Sequence, residues 1–133
     1  MMTANALWTD KSRFVGIAGS HHSIVMDAAS PEKTANSPME LVLVGLCGCT
    51  ATDVVSILHK KRESFTSLEV HAEAEQAHEP PKVFTSIRLV YKVRGNVTKK
   101  AMEDAVRLSK EKYCSVSAML EKTAAITFAI EYE

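Results

Sequence analysis

The sequence lacks a surplus of charge of either sign. Its 133 residues include 16 Lys plus Arg and 16 Asp plus Glu, so the formal net charge is zero. Because nucleic acids and anionic membranes attract proteins through a surplus of positive charge, we expect neither as a partner. Hydrophobic residues make up 46% of the chain, which is ample for one core, so we expect a single domain over residues 1–133.

Signals for export and for membrane insertion are also missing. The first residues, MMTANALW, lack the basic start and the apolar run of a signal peptide. The longest apolar run, Leu41 to Cys49, is interrupted by Gly45 and Gly48. It is too short to cross a bilayer, so we expect a cytoplasmic protein.

Cysteine is scarce: the chain has only Cys47, Cys49 and Cys114. In a reducing cytoplasm, three cysteines do not form a structural disulfide framework. Their spacing also lacks the paired CxxC motifs that are typical of structural zinc sites. Metal binding by Cys49, Cys114 and a histidine such as His21 is therefore a minor alternative.

Apolar periodicity predicts an N-terminal meander and a later hairpin. The meander has strands at 4–10, 13–18 and 23–27, with a turn at Gly19 to His21 and a buried face formed by Phe14, Ile17, Ile24 and Met26. The hairpin has strands at 68–75 and 83–93, joined by a polar loop at 76–82. Its inward faces are predicted to hold Leu68, Val70, Ala72 and Ala74 on one strand, and Val83, Thr85, Ile87, Leu89, Tyr91 and Val93 on the other.

A long helix is predicted between the meander and the hairpin, after a loop at 28–36. Ser37 is a suitable N-cap, Pro38 suits the first helical position, and Glu40 completes a capping box. The helix should run to about Lys61, and it is apolar on most of its faces. We expect it to be central and buried, with a homodimer as the natural way to cover it.

The C-terminal part predicts two further helices and a closing strand. Thr98 can cap a helix over 98–110, with Ala101, Ala105 and Leu108 facing inward; a short helix over 114–122 and a strand over 123–132 follow. This order of elements predicts an α+β fold in which antiparallel sheets pack on the central helix.

Each cysteine lies inside a helical pattern, where a thiol is either a buried hydrophobe or half of a redox pair. Cys47 and Cys49 point roughly 200° apart around their helix, so they cannot easily share a disulfide or a metal. Two glycines close to them suggest that something approaches the backbone there, and Asp53 shares a face with Cys49, either for chemistry or for a surface hydrogen bond. Cys114 is near a helix start, where free N–H groups, with Lys110 and Lys112, would stabilise a thiolate.

Together the segments SPMELVLVGLCGCTATDVVSIL and EKYCSVSAMLEK resemble the OsmC/Ohr family of thiol-dependent proteins, and within it the YhfA-like branch. The resemblance covers nearly the whole chain. It implies an OsmC-like fold, an intertwined homodimer and a site at the subunit interface. It also implies a peroxidatic Cys49, a resolving Cys114 and a packing role for Cys47.

The resemblance implies a cysteine-based hydroperoxide reductase that needs no cofactor and no metal. The Cys49 thiolate would attack a small hydroperoxide and become a sulfenic acid, Cys114 would condense with it, and an external dithiol would reduce the disulfide. The activity would serve peroxide detoxification or a stress response.

One departure from the family pattern leaves an alternative open. The peroxidase branches carry an arginine in the loop before the central helix, held by a glutamate in the first helical turn, which Glu40 matches. Residues 28–36 contain no arginine, and Lys33 is their only cation. Lysine does not reproduce the bidentate contact of a guanidinium group. Glu40 could then serve only the capping box, and the dimer could bind a small apolar ligand with little or no turnover. His21 and His22 could supply a donor or be solvated in their turn.

Overall fold

The computed structural model of the chain describes residues 1–29 and 31–133. Its elements, in chain order, are β1 (Ala4–Asp10), β2 (Arg13–Ala18), β3 (Ser23–Asp27), α1 (Pro38–Lys60), β4 (Ser64–Gln76), β5 (Phe84–Asn96), α2 (Lys99–Leu108), a π-helical segment (Ser109–Tyr113), α3 (Ser115–Leu120) and β6 (Ala125–Tyr132). The contacts divide the chain into a first unit, Met1–Val44, and a second unit, Gly45–Glu133. The α+β class predicted from the sequence is confirmed.

The first unit contains an antiparallel sheet in the order β1-β2-β3. All three strands begin and end where the sequence predicted. The turn between β2 and β3 is also confirmed, because the His21 N–H donates to the carbonyl oxygen of Ala18 at 2.9 Å. His21 adopts a positive φ of 67° in this turn. The predicted loop at 28–36 follows β3, with Ser30 outside the described residues.

The meander does not bury the face that was predicted for it. Phe14 and Met26 are half-buried, but Ile17 and Ile24 remain exposed in the single chain, as do Leu7 and Trp8 of β1. The reason is size, because three short strands are too small a body to cover their own apolar side chains. The prediction of a buried face is therefore wrong for Ile17 and Ile24 within one chain.

The first turn of α1 forms the predicted capping box. The Glu40 N–H donates to Ser37 Oγ at 3.2 Å, and the Ser37 N–H donates to Glu40 Oε1 at 2.9 Å. These two bonds satisfy backbone donors that a helix start otherwise leaves free. The start of the helix at Pro38 follows from this local chemistry.

The second unit contains a sheet in the order β4-β5-β6. β4 and β5 form a long antiparallel hairpin, as predicted; β4 extends beyond both predicted ends, and β5 begins one residue later and ends three residues later than predicted. β6, however, pairs with β5 in parallel, with Ile87 opposite Ile126 and Tyr91 opposite Ile130. The prediction of purely antiparallel sheets is corrected at this pair. The two helices and the π-helical segment between β5 and β6 supply the long crossover that a parallel pair requires.

A bulge changes which residues of β5 face inward. Glu75 is opposite Ser86 while Gln76 is opposite Phe84, so Thr85 is the extra residue. One extra residue reverses the alternation of side chains. Phe84 is therefore buried, and Val83 and Thr85, which were predicted to face inward, are exposed. The remaining inward positions of β5 are as predicted.

Within the second unit, α1 buries a single row of side chains, Leu46, Thr50, Val54 and Leu58. The prediction that this helix is buried on most faces is wrong for one chain. A Cβ added to Gly45 or Gly48 would meet no heavy atom within 4 Å. By length and composition, Pro38–Lys60 is the one described helix that could cross a membrane, a test that core helices of soluble proteins also pass.

The crossover between β5 and β6 is more irregular than predicted. Thr98 caps α2 by accepting a hydrogen bond from the Ala101 N–H at 3.2 Å, as expected. α2 ends at Leu108, and the next five residues, Ser109–Tyr113, wind as a π-helix. Cys114 then has extended backbone and caps the N-terminus of α3. The sequence predicted the position of Cys114 at a helix start but not the π-helical segment before it.

Candidate functional site

The second unit brings Cys49 and Cys114 together. Cys49 lies on α1 and Cys114 at the start of α3, and the Cys49 thiol is near enough to raise the pKa of the Cys114 thiol. Cys114 is buried, with 3% of its surface exposed, while Cys49 and Cys47 are half-buried. A half-buried thiol facing a buried thiol is the arrangement that a redox dithiol requires.

Cys114 is held by its own helix start. Its sulfur accepts a hydrogen bond from the Ser117 N–H at 3.4 Å, and this contact favours the thiolate. Burial has the larger effect, however, and raises the pKa of the Cys114 thiol above its ordinary value; the neighbouring Cys49 thiol raises it further. The expectation that the helix start would stabilise a Cys114 thiolate is therefore wrong in its net result.

The two lysines that were expected to help Cys114 have other partners. Lys110 Nζ donates to the carbonyl oxygen of Ile126 at 2.7 Å and lies 5.6 Å from the centre of the Phe128 ring. Lys112 Nζ lies over the ring of Tyr113. Both cations are therefore held by other groups of the second unit, which is consistent with the net rise in the Cys114 pKa.

Cys47, two residues before Cys49 on α1, is half-buried. Burial raises the pKa of the Cys47 thiol. A thiol whose pKa is raised is mostly protonated at neutral pH and reacts slowly with peroxides, because the thiolate is the nucleophile. The raised pKa values thus disfavour Cys47 and Cys114 as first nucleophiles.

A chain of buried hydroxyl groups connects the two thiol-bearing segments. Thr50 Oγ1 lies 2.7 Å from the Tyr91 hydroxyl and 2.8 Å from Ser109 Oγ, and Ser109 Oγ donates to Asp53 Oδ2 at 2.8 Å. Thr50, Tyr91 and Ser109 are each at most 2% exposed. We call Tyr91, Thr50, Ser109 and Asp53 the hydroxyl chain. Sequence reasoning noted Thr50 and Asp53 as polar residues of an apolar helix and predicted that Tyr91 faces inward, but it did not identify Ser109 or the contacts among the four.

Tyr91, at one end of the hydroxyl chain, is buried. Burial raises the pKa of Tyr91 to about 12. The negative charges that Cys114, Cys47 and Asp53 carry when ionised oppose ionisation of Tyr91 further. Tyr91 is therefore neutral at physiological pH and can donate a hydrogen bond.

Glu40, the third predicted site residue, lies in the first unit. Its carboxylate is 3.6 Å from Lys33 Nζ. The Ser37 backbone N–H lowers the pKa of Glu40 most, and Lys33 lowers it further. The loop cation and the first-turn carboxylate of α1 are thus paired, in the positions where the resemblance places an arginine and a glutamate.

Asp27 organises the loop that carries Lys33, and sequence reasoning did not identify it. The buried carboxylate accepts four hydrogen bonds: from Ser12 Oγ at 2.6 Å, from the Ala29 N–H, and from both the N–H and the hydroxyl of Thr34. These donors, Ser12 first, hold the pKa of Asp27 well below its ordinary value of 3.8. The only sequence signal was a carboxylate at a strand end before a polar loop.

The histidines do not form part of a described site. His21 and His22 are exposed in their turn, where His22 Nδ1 lies 3.1 Å from Ser20 Oγ. Within residues 1–29 and 31–133, no group of three or more His, Cys, Asp or Glu side chains could hold a metal ion. The metal alternative with Cys49, Cys114 and His21 therefore has no support in the described part of the chain.

A cavity of about 330 Å³ adjoins the hydroxyl chain. Its lining includes Asp53, one turn beyond Cys49 on α1, and Tyr113, which precedes Cys114. A second cavity of about 620 Å³ lies between α2, the π-helical segment and β6, and none of the three cysteines lines it. The cysteines do not line the smaller cavity either, but its lining includes chain neighbours of both Cys49 and Cys114.

Comparison with known proteins gives consistent results. A family model described as "OsmC-like protein" matches residues 30–129. The chain is 46% identical to Protein YhfA of Escherichia coli (strain K12) over 131 residues, which are 98% of this chain and 97% of that protein.

Solved structures share the fold over nearly the full length. A hypothetical protein from Aquifex aeolicus VF5 has a TM-score of 0.86 at 29% identity, covering 100% of this chain and 98% of that chain. An organic hydroperoxide resistance protein OsmC from Legionella pneumophila has a TM-score of 0.75 at 17% identity, covering 98% of this chain and 96% of that chain. At the second level of identity, the likeness concerns the fold alone.

Proposed function

The chain belongs to the OsmC-like family, and from this membership we propose that it is a thiol peroxidase that reduces hydroperoxides with the pair Cys49 and Cys114. The observation that carries the proposal is the proximity of these two thiols in the second unit. The Legionella protein of the same fold is described as an organic hydroperoxide resistance protein, and this supports the choice of substrate class.

The reaction balances with these two thiols and one external reductant. The Cys49 thiolate attacks the distal oxygen of the hydroperoxide, the O–O bond breaks, and the leaving alkoxide takes a proton to become an alcohol. Cys49 is then a sulfenic acid. The Cys114 sulfur displaces its hydroxyl group, so water leaves and a Cys49–Cys114 disulfide forms. An external dithiol restores both thiols by exchange and becomes a disulfide itself.

The raised pKa values of Cys114 and Cys47 fit their roles in this proposal. A buried, protonated Cys114 does not compete for peroxide, and it loses its proton only when it attacks the sulfenic acid beside it. Cys47 is protonated for the same reason, which suits a packing role. In this proposal Cys49 is the peroxidatic residue and Cys114 the resolving residue, as the resemblance to the family implies.

Glu40 acts in the proposal by holding Lys33. The pair takes the place of the family's arginine and glutamate, with a point charge instead of a planar fork. We expect Lys33→Arg to increase the rate of Cys49 oxidation by peroxide and Lys33→Met to decrease it, measured under single-turnover conditions. Equal rates in all three proteins would remove Lys33 and Glu40 from the mechanism.

The proposal includes a homodimer in the cytoplasm. In a single chain, apolar side chains of the meander and of α1 are exposed, among them Trp8, Ile24 and Val44. Large exposed apolar surfaces are typical of subunit interfaces. A second copy of the chain covers them in this proposal and completes the site, in keeping with the resemblance.

Thiol counting with peroxide tests the proposal directly. The reduced protein is mixed with cumene hydroperoxide or hydrogen peroxide at neutral pH, and free thiols are counted after quenching. We expect wild type and Cys47→Ser each to lose two thiols per peroxide, Cys49→Ser to lose none, and Cys114→Ser to stop at a sulfenic acid that dimedone traps. Wild-type protein that keeps all its thiols would refute the peroxidase.

The alternative is an OsmC-like dimer that binds a small apolar ligand without turnover. The observation that favours it is Lys33 in the place of the family's arginine. It predicts that an apolar ligand copurifies with protein whose three thiols are all reduced, and that excess peroxide leaves those thiols unchanged. Mass spectrometry of the native protein, before and after peroxide, distinguishes the two functions.

A further inference from the structure

Ser109 connects α1 to Cys114 through two different parts of the same residue. Its hydroxyl reaches Thr50 and Asp53 on α1. Its carbonyl oxygen accepts the hydrogen bond of the Cys114 N–H at 2.8 Å, which closes the π-helical segment. Thr50 follows Cys49 directly in the chain. The two reacting thiols are therefore linked by a short, continuous set of hydrogen bonds that does not involve the thiols themselves.

The direction of this hydrogen-bond chain follows from counting donors. The Asp53 carboxylate only accepts, so the single hydroxyl hydrogen of Ser109 points to it. Ser109 Oγ must then accept from Thr50, and Thr50 Oγ1 must accept from the Tyr91 hydroxyl. All three hydroxyl hydrogens are committed, and the order runs from Tyr91 to Thr50 to Ser109 to Asp53. Such a fully satisfied buried chain has one preferred arrangement.

We propose that the hydroxyl chain of Tyr91, Thr50, Ser109 and Asp53 positions Cys114 against Cys49 and so sets how readily their disulfide forms. The proposal rests on the proposed function, in which this pair is the redox couple. The four residues are positioning residues in this proposal, because they act through Cys114 and none of them exchanges electrons. Their effect is to raise the effective concentration of one thiol at the other.

Two substitutions at Thr50 separate positioning from packing. Thr50→Val keeps the shape of the side chain and removes the hydroxyl group. Thr50→Ser keeps the hydroxyl group and removes a methyl group from a fully buried site. If Thr50 serves only packing, the serine variant is the more damaged; if it serves the hydroxyl chain, the valine variant is.

The test measures the equilibrium between dithiol and disulfide in glutathione redox buffers, without peroxide. All proteins are full length and carry Cys47→Ser, and the Cys49–Cys114 disulfide is quantified by mass spectrometry after alkylation. We expect Thr50→Val to lower the equilibrium constant for disulfide formation about fivefold, which corresponds to one net buried hydrogen bond. Thr50→Ser should stay within about twofold of its parent. Ser109→Ala removes two hydrogen bonds of the hydroxyl chain and should lower the equilibrium constant at least as much as Thr50→Val. It replaces Thr50→Val in the test if the valine variant fails to fold.

The possible outcomes test the positioning role of the hydroxyl chain and the peroxidase activity separately. If the serine and valine variants differ as expected but peroxide is not consumed, the positioning role stands and the proposed function fails. If peroxide is consumed and Thr50→Val and Ser109→Ala match their parent in glutathione, the positioning role is overturned and the peroxidase stands. A wild-type protein that forms no Cys49–Cys114 disulfide even in oxidised glutathione would overturn the positioning role and the resolving role of Cys114 together.

Discussion

At the scale of single residues, the surroundings of Cys114 and Asp27 shift the pKa values of these two groups in opposite directions. Cys114 is buried and receives only one N–H donor, so desolvation dominates and its pKa rises. Asp27 is buried as well, but four donors surround it, and its pKa falls. Hydrogen-bond donors thus lower the pKa of Asp27, whereas burial raises the pKa of Cys114.

The raised pKa of Cys114 predicts how the second chemical step depends on pH. Attack on the sulfenic acid needs the Cys114 thiolate, whose fraction grows about tenfold per pH unit below the pKa of the group. Because that pKa lies above the ordinary value of 9.0, the rate of disulfide closure should rise from pH 7 to beyond pH 9 without levelling off.

Stopped-flow measurement of disulfide closure in Cys47→Ser, started by one equivalent of peroxide, checks this expectation. Cys114→Ser is the control, since it should show only the first step. A rate that levels off below pH 8 would contradict a raised Cys114 pKa.

Because hydrogen bonds to the Asp27 carboxylate hold the loop that carries Lys33, we expect acid to destabilise this loop. Asp27→Asn leaves donors of Ser12, Ala29 and Thr34 without an ionised acceptor, so the variant should be less stable than wild type at pH 7, and the Thr34 N–H should lose protection against hydrogen exchange. Because the folded-state pKa is lowered, the stability from Asp27 is complete above about pH 4 and is lost as pH falls further.

Paired thermal unfolding of wild type and Asp27→Asn between pH 7 and pH 2 measures this contribution. The gap between the two proteins should be constant down to about pH 4 and shrink below it. Asp10→Asn, an exposed carboxylate of the same sheet, should show no comparable gap. A gap that persists undiminished at pH 2 would assign the effect to packing.

At the scale of elements, most of the fold could be predicted from local chemistry. The capping box at Ser37 and Glu40 and the cap at Thr98 depend on residues three positions apart, and both were identified. The bulge at Thr85 and the π-helical segment could not be predicted, because they depend on pairing with distant parts of the second unit. The hydroxyl chain joins residues 41 and 59 positions apart, and no local pattern announces such contacts.

We expect that only glycine is tolerated at position 95, near the end of β5. It has a φ of 113°, and an added Cβ would lie 2.7 Å from the Thr66 nitrogen and 2.8 Å from the Phe65 Cα, both backbone atoms. Gly95→Ala should lower the free energy of unfolding by about 2 to 4 kcal/mol, because both the backbone angle and the contact are unfavourable.

Urea denaturation of Gly95→Ala and of its neighbour Asn96→Ala measures this effect. Asn96 is exposed at the strand end, and its substitution should change the free energy of unfolding by no more than about 0.5 kcal/mol. Equal stability of the two variants would show that the strand end relaxes around the new side chain.

At the scale of the whole molecule, the long helix and the meander share one property, which is apolar surface that a single chain leaves open. Leu7 and Trp8 of β1 are each more than 60% exposed, and Val44 of α1 is 58% exposed. Their number and their place in regular elements distinguish them from the scattered apolar residues of ordinary surfaces. The sequence predicted a homodimer from the apolar central helix alone, without the exposed residues of the meander.

Sedimentation should therefore find particles of twice the chain mass of 14.6 kDa. Val44→Glu places a charge on the exposed face of α1 and should shift the protein towards the monomer, because a buried unpaired charge opposes association. Val83→Glu makes the same change on the connection between β4 and β5 and should leave the mass unchanged. Wild-type protein that sediments as a monomer at micromolar concentration would refute the dimer.

The exposed apolar residues of β1 to β3 have a consequence for how much of the protein a cell must hold. If a second copy covers them, the folded state is favoured by mass action, and its stability rises with the concentration of the chain itself. Newly made chains would then pass through a period in which Trp8 and Ile24 are open to chaperones and proteases. At concentrations below the dissociation constant of the dimer, few chains would remain folded, so the activity would require a minimum level of expression.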